Sequence, residues 1–302
     1  MPPDRSDRHH VVVLSPHLDD AVLSLGALIA RLTDQGRRVE VVTAFTRQPD
    51  LAAFPRAWRA FGDYTTRRAE DDEALGLLGA RGRHLDLPER IWREPRPRTV
   101  AGAFRGPATS AGFACLDALT GVVADLLARP DVEVYAPLGV GQHADHVEVT
   151  RAAQRAGQAC GALHRIGFYE DYYALGEAFR RRHPVCRALP GPAVGSPGQV
   201  APTLGATLWL MAATARGPRL DGYAPQVRAL DWRPERHPVA GTEQRKLDAV
   251  TAYRSQVPRL GGRRGLVRAL RRSHRVRGGE LVWRAAPPPA SPARTGAAVR
   301  ER

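Results

Sequence analysis

Between residue 11 and about residue 171, apolar and polar positions follow two alternating periods. VVVLSP (11–16) is a branched apolar run of the kind buried on both faces of a sheet. DDAVLSLGALIARLTDQG (19–36) has apolar residues at helical spacing and a glycine stop. RVEVVTAFT (38–46) is the next expected strand. TTRRAEDDEALGLLGA (65–80) is an expected helix with a threonine cap and an acidic first turn, and RHLDL (83–87) a short strand. SAGFACLDALTGVVADLLARP (110–130) predicts a helix, VEVYAP (132–137) a strand, ADHVEVTRAAQRAGQACG (144–161) a helix and HRIGFYED (164–171) a strand. Strands alternating with helices predict a Rossmann-like α/β fold, a mostly parallel sheet with helices on both faces in a single domain. Past residue 172 the pattern is less regular. PTLGATLWLMAAT (202–214) is expected as a further strand and GTEQRKLDAVTAYRSQV (241–257) as a helix. The Pro/Ala/Arg-rich ends, 1–9 and 286–302, are expected to be disordered tails around a 10–285 domain.

Composition adds bounds. A chain of 302 residues with 43% hydrophobic content can bury a sizeable core. Cys115, Cys160 and Cys186 show no CxxC spacing, so neither a disulfide framework nor a cysteine-rich zinc site is expected. The polar start MPPDRSDRHH leads into no signal-peptide h-region, and no apolar run approaches membrane-spanning length. These features point to a soluble cytoplasmic protein with no membrane span. The net charge of +14 raises nucleic acid as a partner. Yet Lys246 is the only lysine, so the excess is arginine, as expected of a GC-rich genome. Much of it falls in PRLGGRRGLVRALRRSHRVRGG (258–279), whose simplest reading is a solvated basic helix or loop. Nucleic acid is therefore not the expected partner, and oligomeric state is not legible.

The candidate chemistry lies where two expected strands end. His17, Asp19 and Asp20 follow the first strand, and GVGQHADH (139–146) follows VEVYAP. In open α/β sheets ligands sit beyond the carboxyl ends of strands. His17 and Asp20 are three residues apart across a strand-to-helix turn, as are His143 and His146 with Asp145 between them. His17, Asp20 and His146 would make a two-histidine, one-carboxylate set with positions open for water and substrate, suited to catalytic Zn²⁺ and equally to Fe²⁺. Either cluster alone reads as well as a satisfied histidine beside an N-capping aspartate. Their common placement favours a metal.

SPHLDD and QHADH resemble the PHPDD-type and HPDH-type motifs of the PIG-L (LmbE-like) deacetylases, a family similar to the enzyme that deacetylates N-acetylglucosaminyl-phosphatidylinositol. Softer echoes are TTRRAEDDEALGLLGA, FYEDYYA (168–174) and KLDAVTAYRSQV (246–257), so the resemblance runs from about 11 to 285. It implies a zinc-dependent N-deacetylase with His17, Asp20 and His146 as ligands and Asp19 as general base. His143 would stabilise the oxyanion or act as acid, with Asp145 orienting it. The implied partner is an N-acylated amino sugar in a small glycoconjugate or natural-product intermediate. An amidase for a larger acyl group on a thiol-sugar conjugate and a basic phosphate- or nucleic-acid-binding protein are the alternatives. Arg68 and Glu70 match a helix that borders the family's site and are candidate substrate contacts. RIWREPRPRTVAGAFRGP (90–107), with Trp92, is a candidate lid or substrate wall.

Three positions depart from the family pattern. Leu18 replaces a proline, Ala21 stands where many members have glutamate, and Gly141 stands where some carry a tyrosine. A tyrosine donor would then come from elsewhere, with Tyr169, Tyr172 and Tyr173 as candidates that also read as packing residues.

Overall fold

The computed structural model describes residues 9–54, 59, 62–97, 100–172, 177–189 and 220–286. In chain order the main elements are β1 (His10–Ser15), α1 (Asp20–Asp34), β2 (Arg38–Thr43), α2 (Tyr64–Leu77), β3 (Arg81–His84), α3 (Leu116–Leu127) and β4 (Val132–Pro137). They continue with α4 (Ala144–Ala159), β5 (Ile166–Tyr169), α5 (Glu177–Arg182), β6 (Trp232–His237), α6 (Glu243–Ala252), α7 (Gly262–Arg277) and β7 (Glu280–Ala285). The seven strands form one sheet in the order β3-β2-β1-β4-β5-β7-β6. The first five in that order are parallel, and β7 runs antiparallel to both β5 and β6. This is the expected mostly parallel, single-domain α/β fold.

Alternation along each strand builds two cores. Val12 and Leu14 face a layer with α3 and α4, where Leu119, Val123 and Ala152 pack. Val11 and Val13 face the other layer, where Ile29 of α1, Leu75 of α2, Leu247 of α6 and Leu270 of α7 pack. Helices therefore cover both faces, which explains why the central strands are apolar without alternation. Lys246 of α6 is buried on this second side with its Nζ 2.7 Å from Glu280. A Cβ on Gly26 would meet the Lys246 stem at 2.8 Å, so the helix gives way to the lysine at that point.

Two local differences from the sequence pattern stand out, and the basic stretch takes the expected form. The strand expected at 83–87 ends at His84, and two residues later Asp86 takes a left-handed φ of 53°. Asp63, not a threonine, caps α2 by accepting from Thr66 N at 3.1 Å, and no acidic residue occupies the first turn. The basic stretch forms a short 3-10 turn (Val257–Leu260) and then α7. The strand expected at 202–214 and most of both expected tails lie outside the described residues. Among the described residues no helix is long and apolar enough to cross a membrane.

The sheet order reverses between β1 and β4, since β2 and β3 extend to one side and β4 and β5 to the other. At such a switch point the loops after the two strands part and leave a crevice. The loops following β1 and β4 carry both polar clusters.

Candidate functional site

The loop after β1 is held by its own polar groups. Ser15 Oγ donates to His17 O at 2.5 Å and accepts from Ala21 N at 3.0 Å. His17 N donates to Asp20 Oδ2 at 2.9 Å, which turns that carboxylate back over the loop. Asp19 sits at the N-cap of α1, yet its side chain makes no capping bond. The helix does not account for that carboxylate. After β4 the chain turns through left-handed φ at Gly139 (77°), Gly141 (89°) and Gln142 (63°). A Cβ on Gly139 would come 3.0 Å from Thr150 Oγ1, so glycine is needed there for the turn to lie against α4. The turn delivers His143 to the N-cap of α4 and places Asp145 and His146 in its first turn.

The two clusters meet. His17 Nδ1 lies 3.0 Å and His146 Nε2 3.1 Å from the same oxygen, Asp20 Oδ2. Ligand atoms of His17, Asp20 and His146 all lie within 4.8 Å of one another, and all three residues are buried. Donor separations of this size suit one ion, because tetrahedral bonds of about 2.0–2.1 Å place neighbouring donors about 3.3 Å apart. Each histidine is held from behind by a carboxylate. Asp171 Oδ1 lies 2.5 Å from His146 Nδ1, and Asp145 Oδ2 lies 3.3 Å from His17 Nε2. A carboxylate on the far nitrogen fixes the tautomer and turns the other nitrogen toward the ion. Asp171 also accepts from Val140 N at 2.8 Å, tying the end of β5 to the turn after β4.

Negative charge is in excess here. Asp19, Asp20, Glu89, Asp145, Glu148 and Asp171 converge, and among the described residues the guanidinium groups ion-paired with them are those of Arg67 and Arg93. Burial would lower the His17 pKa, but Glu89, Asp145 and Asp20 override it and hold it well above its usual value. Burial likewise opposes the His146 proton, but Asp20 and Asp171 raise its pKa to about 9. The surrounding carboxylates thus favour positive charge at both imidazoles, as they would favour a cation held between them. Asp19 is pushed up to about 6 by burial and by Asp20, against Arg67. His143 is held well below its usual value by burial and by His17.

The other predicted residues are placed differently. Asp145 accepts from Arg90 N at 3.1 and 2.9 Å and pairs with Arg93, while His143 Nδ1 is 3.9 Å away. Its hydrogen-bonding contacts are thus to His17 and the 90–93 segment, and the expected pairing with His143 is beyond hydrogen-bond distance. Arg68 donates to Thr46 O at 2.8 Å and pairs with Asp86, and Glu70 accepts from Ser255 N at 2.8 Å and Oγ at 2.6 Å. The α2 side chain that reaches toward Asp19 is Arg67, whose NH2 is 3.9 Å from Oδ1. Tyr169 donates to Leu14 O at 2.9 Å, and Tyr172 N donates to Ser24 Oγ at 3.2 Å. Tyr173 lies outside the described residues. In the candidate lid, Arg93 binds Glu148 at 2.6 Å besides Asp145, Arg96 stacks on Phe54 at 4.4 Å, and Phe104 meets the His143 ring edge-on at 4.8 Å. The wall is built, and two of its arginines serve the protein's own groups.

Sequence reasoning missed Glu89, Arg67, Arg93, Asp171 and Tyr64 as members of the site. Tyr64 hydrogen-bonds Glu89, and Trp92 Nε1 lies 3.4 Å from the Tyr64 hydroxyl. FYED after β5 was the available signal for Asp171, and the adjacent arginines of TTRRAE left the choice between 67 and 68 open.

Residues 12–157 match the family described as PIG-L: GlcNAc-PI de-N-acetylase. Among solved structures, an antimicrobial-reagent pseudoaglycone deacetylase, Dbv21, is 22% identical with a TM-score of 0.60, over 94% of this chain and 100% of that one. A deacetylase–teicoplanin complex from the biosynthesis pathway of teicoplanin is 21% identical with a TM-score of 0.58, over 93% and 100%. Teicoplanin deacetylase in a zinc-inhibited form is 21% identical with a TM-score of 0.57, over 93% and 100%. These likenesses establish a shared fold. No curated protein matches the sequence.

Proposed function

Residues 12–157 form a PIG-L family domain, and on that premise we propose that the chain is a zinc-dependent N-deacetylase acting on an N-acylated amino sugar. The observation that carries this reading is the convergence of His17 Nδ1 and His146 Nε2 on Asp20 Oδ2, at 3.0 and 3.1 Å, with Asp19 beside them. His17, Asp20 and His146 would hold the ion, a donor set that suits Zn²⁺ and also Fe²⁺. When bound, the ion polarises the amide carbonyl and lowers the pKa of water.

The remaining roles belong to the chain's own groups. Asp19, with its pKa raised to about 6 and its oxygens free of capping duty, takes the proton of the attacking water. His143 is held neutral by burial and by His17, so it acts as a hydrogen-bond donor to the developing oxyanion. Arg67 fixes Asp19 and Glu89 from one side at 3.9 Å each. Phe104 and the 90–97 segment wall the His143 side and limit water. The neighbouring folds named as pseudoaglycone and teicoplanin deacetylases support a sugar-bearing natural-product intermediate as the substrate class. The site lies in a protein expected in the cytoplasm.

The test is acetate and free-amine release from a panel of N-acetylated amino sugars, using chelator-stripped chain with and without added Zn²⁺. Activity should return with the metal. Asp19→Asn should keep one metal equivalent and lose about 10²–10⁴-fold in turnover. Full activity in the stripped chain, or in Asp19→Asn, sinks the assignment.

A further inference from the structure

His17 offers its two ring nitrogens to two donor sets. Nδ1 faces Asp20, and Nε2 faces Asp145 at 3.3 Å and Glu89 at 3.7 Å. Around that second edge, ligand atoms of His17, Glu89, His143 and Asp145 lie within 4.8 Å of one another, and all four residues are buried. We propose that Glu89, His143 and Asp145 form a second, weaker site for a divalent transition-metal ion beside the Nε2 edge of His17. Filling it withdraws His143 from the reaction, so that excess metal inhibits. This rests on the deacetylase reading above.

Three observations support the second position. Its donors are one imidazole and two carboxylates, a set that zinc and ferrous ions accept with room for water. They come from two separate parts of the chain, Glu89 from the segment after β3 and the other two from the start of α4, so their meeting is a product of the fold. Charge points the same way. Among the described residues six carboxylates converge on the joint site, ion-paired by two arginines, with the Arg90 guanidinium also acting on Asp145 and Glu148. One divalent ion beside neutral histidines still leaves net negative charge in a buried space, and a second ion offsets it.

The same contacts make the site weaker. Asp145 already accepts twice from Arg90 N, at 3.1 and 2.9 Å, and pairs with Arg93. Glu89 accepts from Tyr64 and lies 3.9 Å from Arg67. An ion there must share oxygens with several resident donors, two of them guanidinium groups, whereas Asp20 Oδ2 accepts from the single backbone donor His17 N and faces two imidazoles. The first position therefore fills first.

The test uses the full chain, stripped and then titrated with Zn²⁺ alone, with bound zinc and activity measured on the same samples. The wild type should take two equivalents, the second roughly tenfold weaker or more, with activity rising on the first and falling on the second. Glu89→Gln and His143→Ala should each stop at one equivalent. His143→Ala is read by stoichiometry alone, so its activity does not enter. A wild type that stops at one equivalent throughout the inhibitory range, or a His143→Ala chain that takes two, overturns the second site. A wild type without a tight first equivalent overturns the deacetylase reading instead, and Asp20→Ala, which should lose the tight equivalent only, separates the two failures.

Discussion

Glu170 and Asp171 are neighbours at the end of β5, yet they enter opposite kinds of charged interior. Glu170 accepts from Arg180 at 2.9 and 3.1 Å, from Arg277 at 2.5 Å and from Trp283 Nε1 at 2.9 Å. Glu280 has Lys246 at 2.7 Å and two backbone amides, and Glu133 has Arg37 at 2.9 Å and Arg284 at 2.5 Å. Every one of these three carboxylates has a basic partner from the protein. Asp171 faces the other way, toward a cluster that among the described residues holds five further carboxylates and two arginines paired with them. Buried charge is tolerated when matched. A buried cluster with more carboxylates than cations is set up to receive positive charge from outside.

This contrast can be broken at several points. Glu170→Ala leaves Arg180, Arg277 and the Trp283 indole facing an apolar side chain, which should cost about 3–5 kcal/mol. The measurement is Tm, with bound zinc unchanged; a loss of zinc without a loss of Tm would invert the comparison. Asp171→Asn should do the reverse, weakening zinc about 10–100-fold by competition titration through the loosened His146 ring, with a smaller change in Tm. Equal zinc affinity in the variant would show that Asp171 orients nothing.

Acid provides a third probe. Despite burial, Arg277 and Arg180 hold the Glu170 pKa below its usual 4.5. The stability from this carboxylate is therefore fully present above about pH 4.5 and is lost as the pH falls through the lowered folded value. The stability difference between wild type and Glu170→Gln should be flat above that pH and shrink below it, as followed by urea unfolding. A difference that grows in acid would refute the linkage. The smallest effect expected is that of Arg68→Ala, whose partners are the Thr46 carbonyl and the exposed Asp86 carboxylate. Its kcat/KM should stay within about twofold, as for a surface pair, while Arg67→Ala should lower it severely. Equal losses would restore Arg68 as a substrate contact.

The central sheet was legible because VVVL and VEVYAP are continuous apolar runs joined by well-stopped helices, and such strands reveal themselves through burial. β6 was not. WRPERH is an edge strand with Pro234 and four charged or basic side chains besides Trp232, so it carries neither periodicity nor β-propensity. In the site, His17, Asp20, His143 and His146 stand out because their spacing within each loop is short and local. Glu89, Arg93 and Asp171 come from segments brought in by the sheet order; FYED marked Asp171 only as a soft echo, and nothing in DLPER or REPRP reports where those segments will lie. The Asp145 contacts illustrate the same limit. Adjacency suggested His143, whereas three dimensions placed His17 and the Arg90 amide closer.

The placement of Lys246 gives the protein an unusual chemical property. It is the only lysine in the sequence, and its amine is sealed between α1, α6 and Glu280. Acylating reagents directed at side-chain amines therefore have no target on the folded surface, and their uptake at this position counts molecules in which the β7 side has come apart. The rate of such uptake would time that opening without any introduced probe.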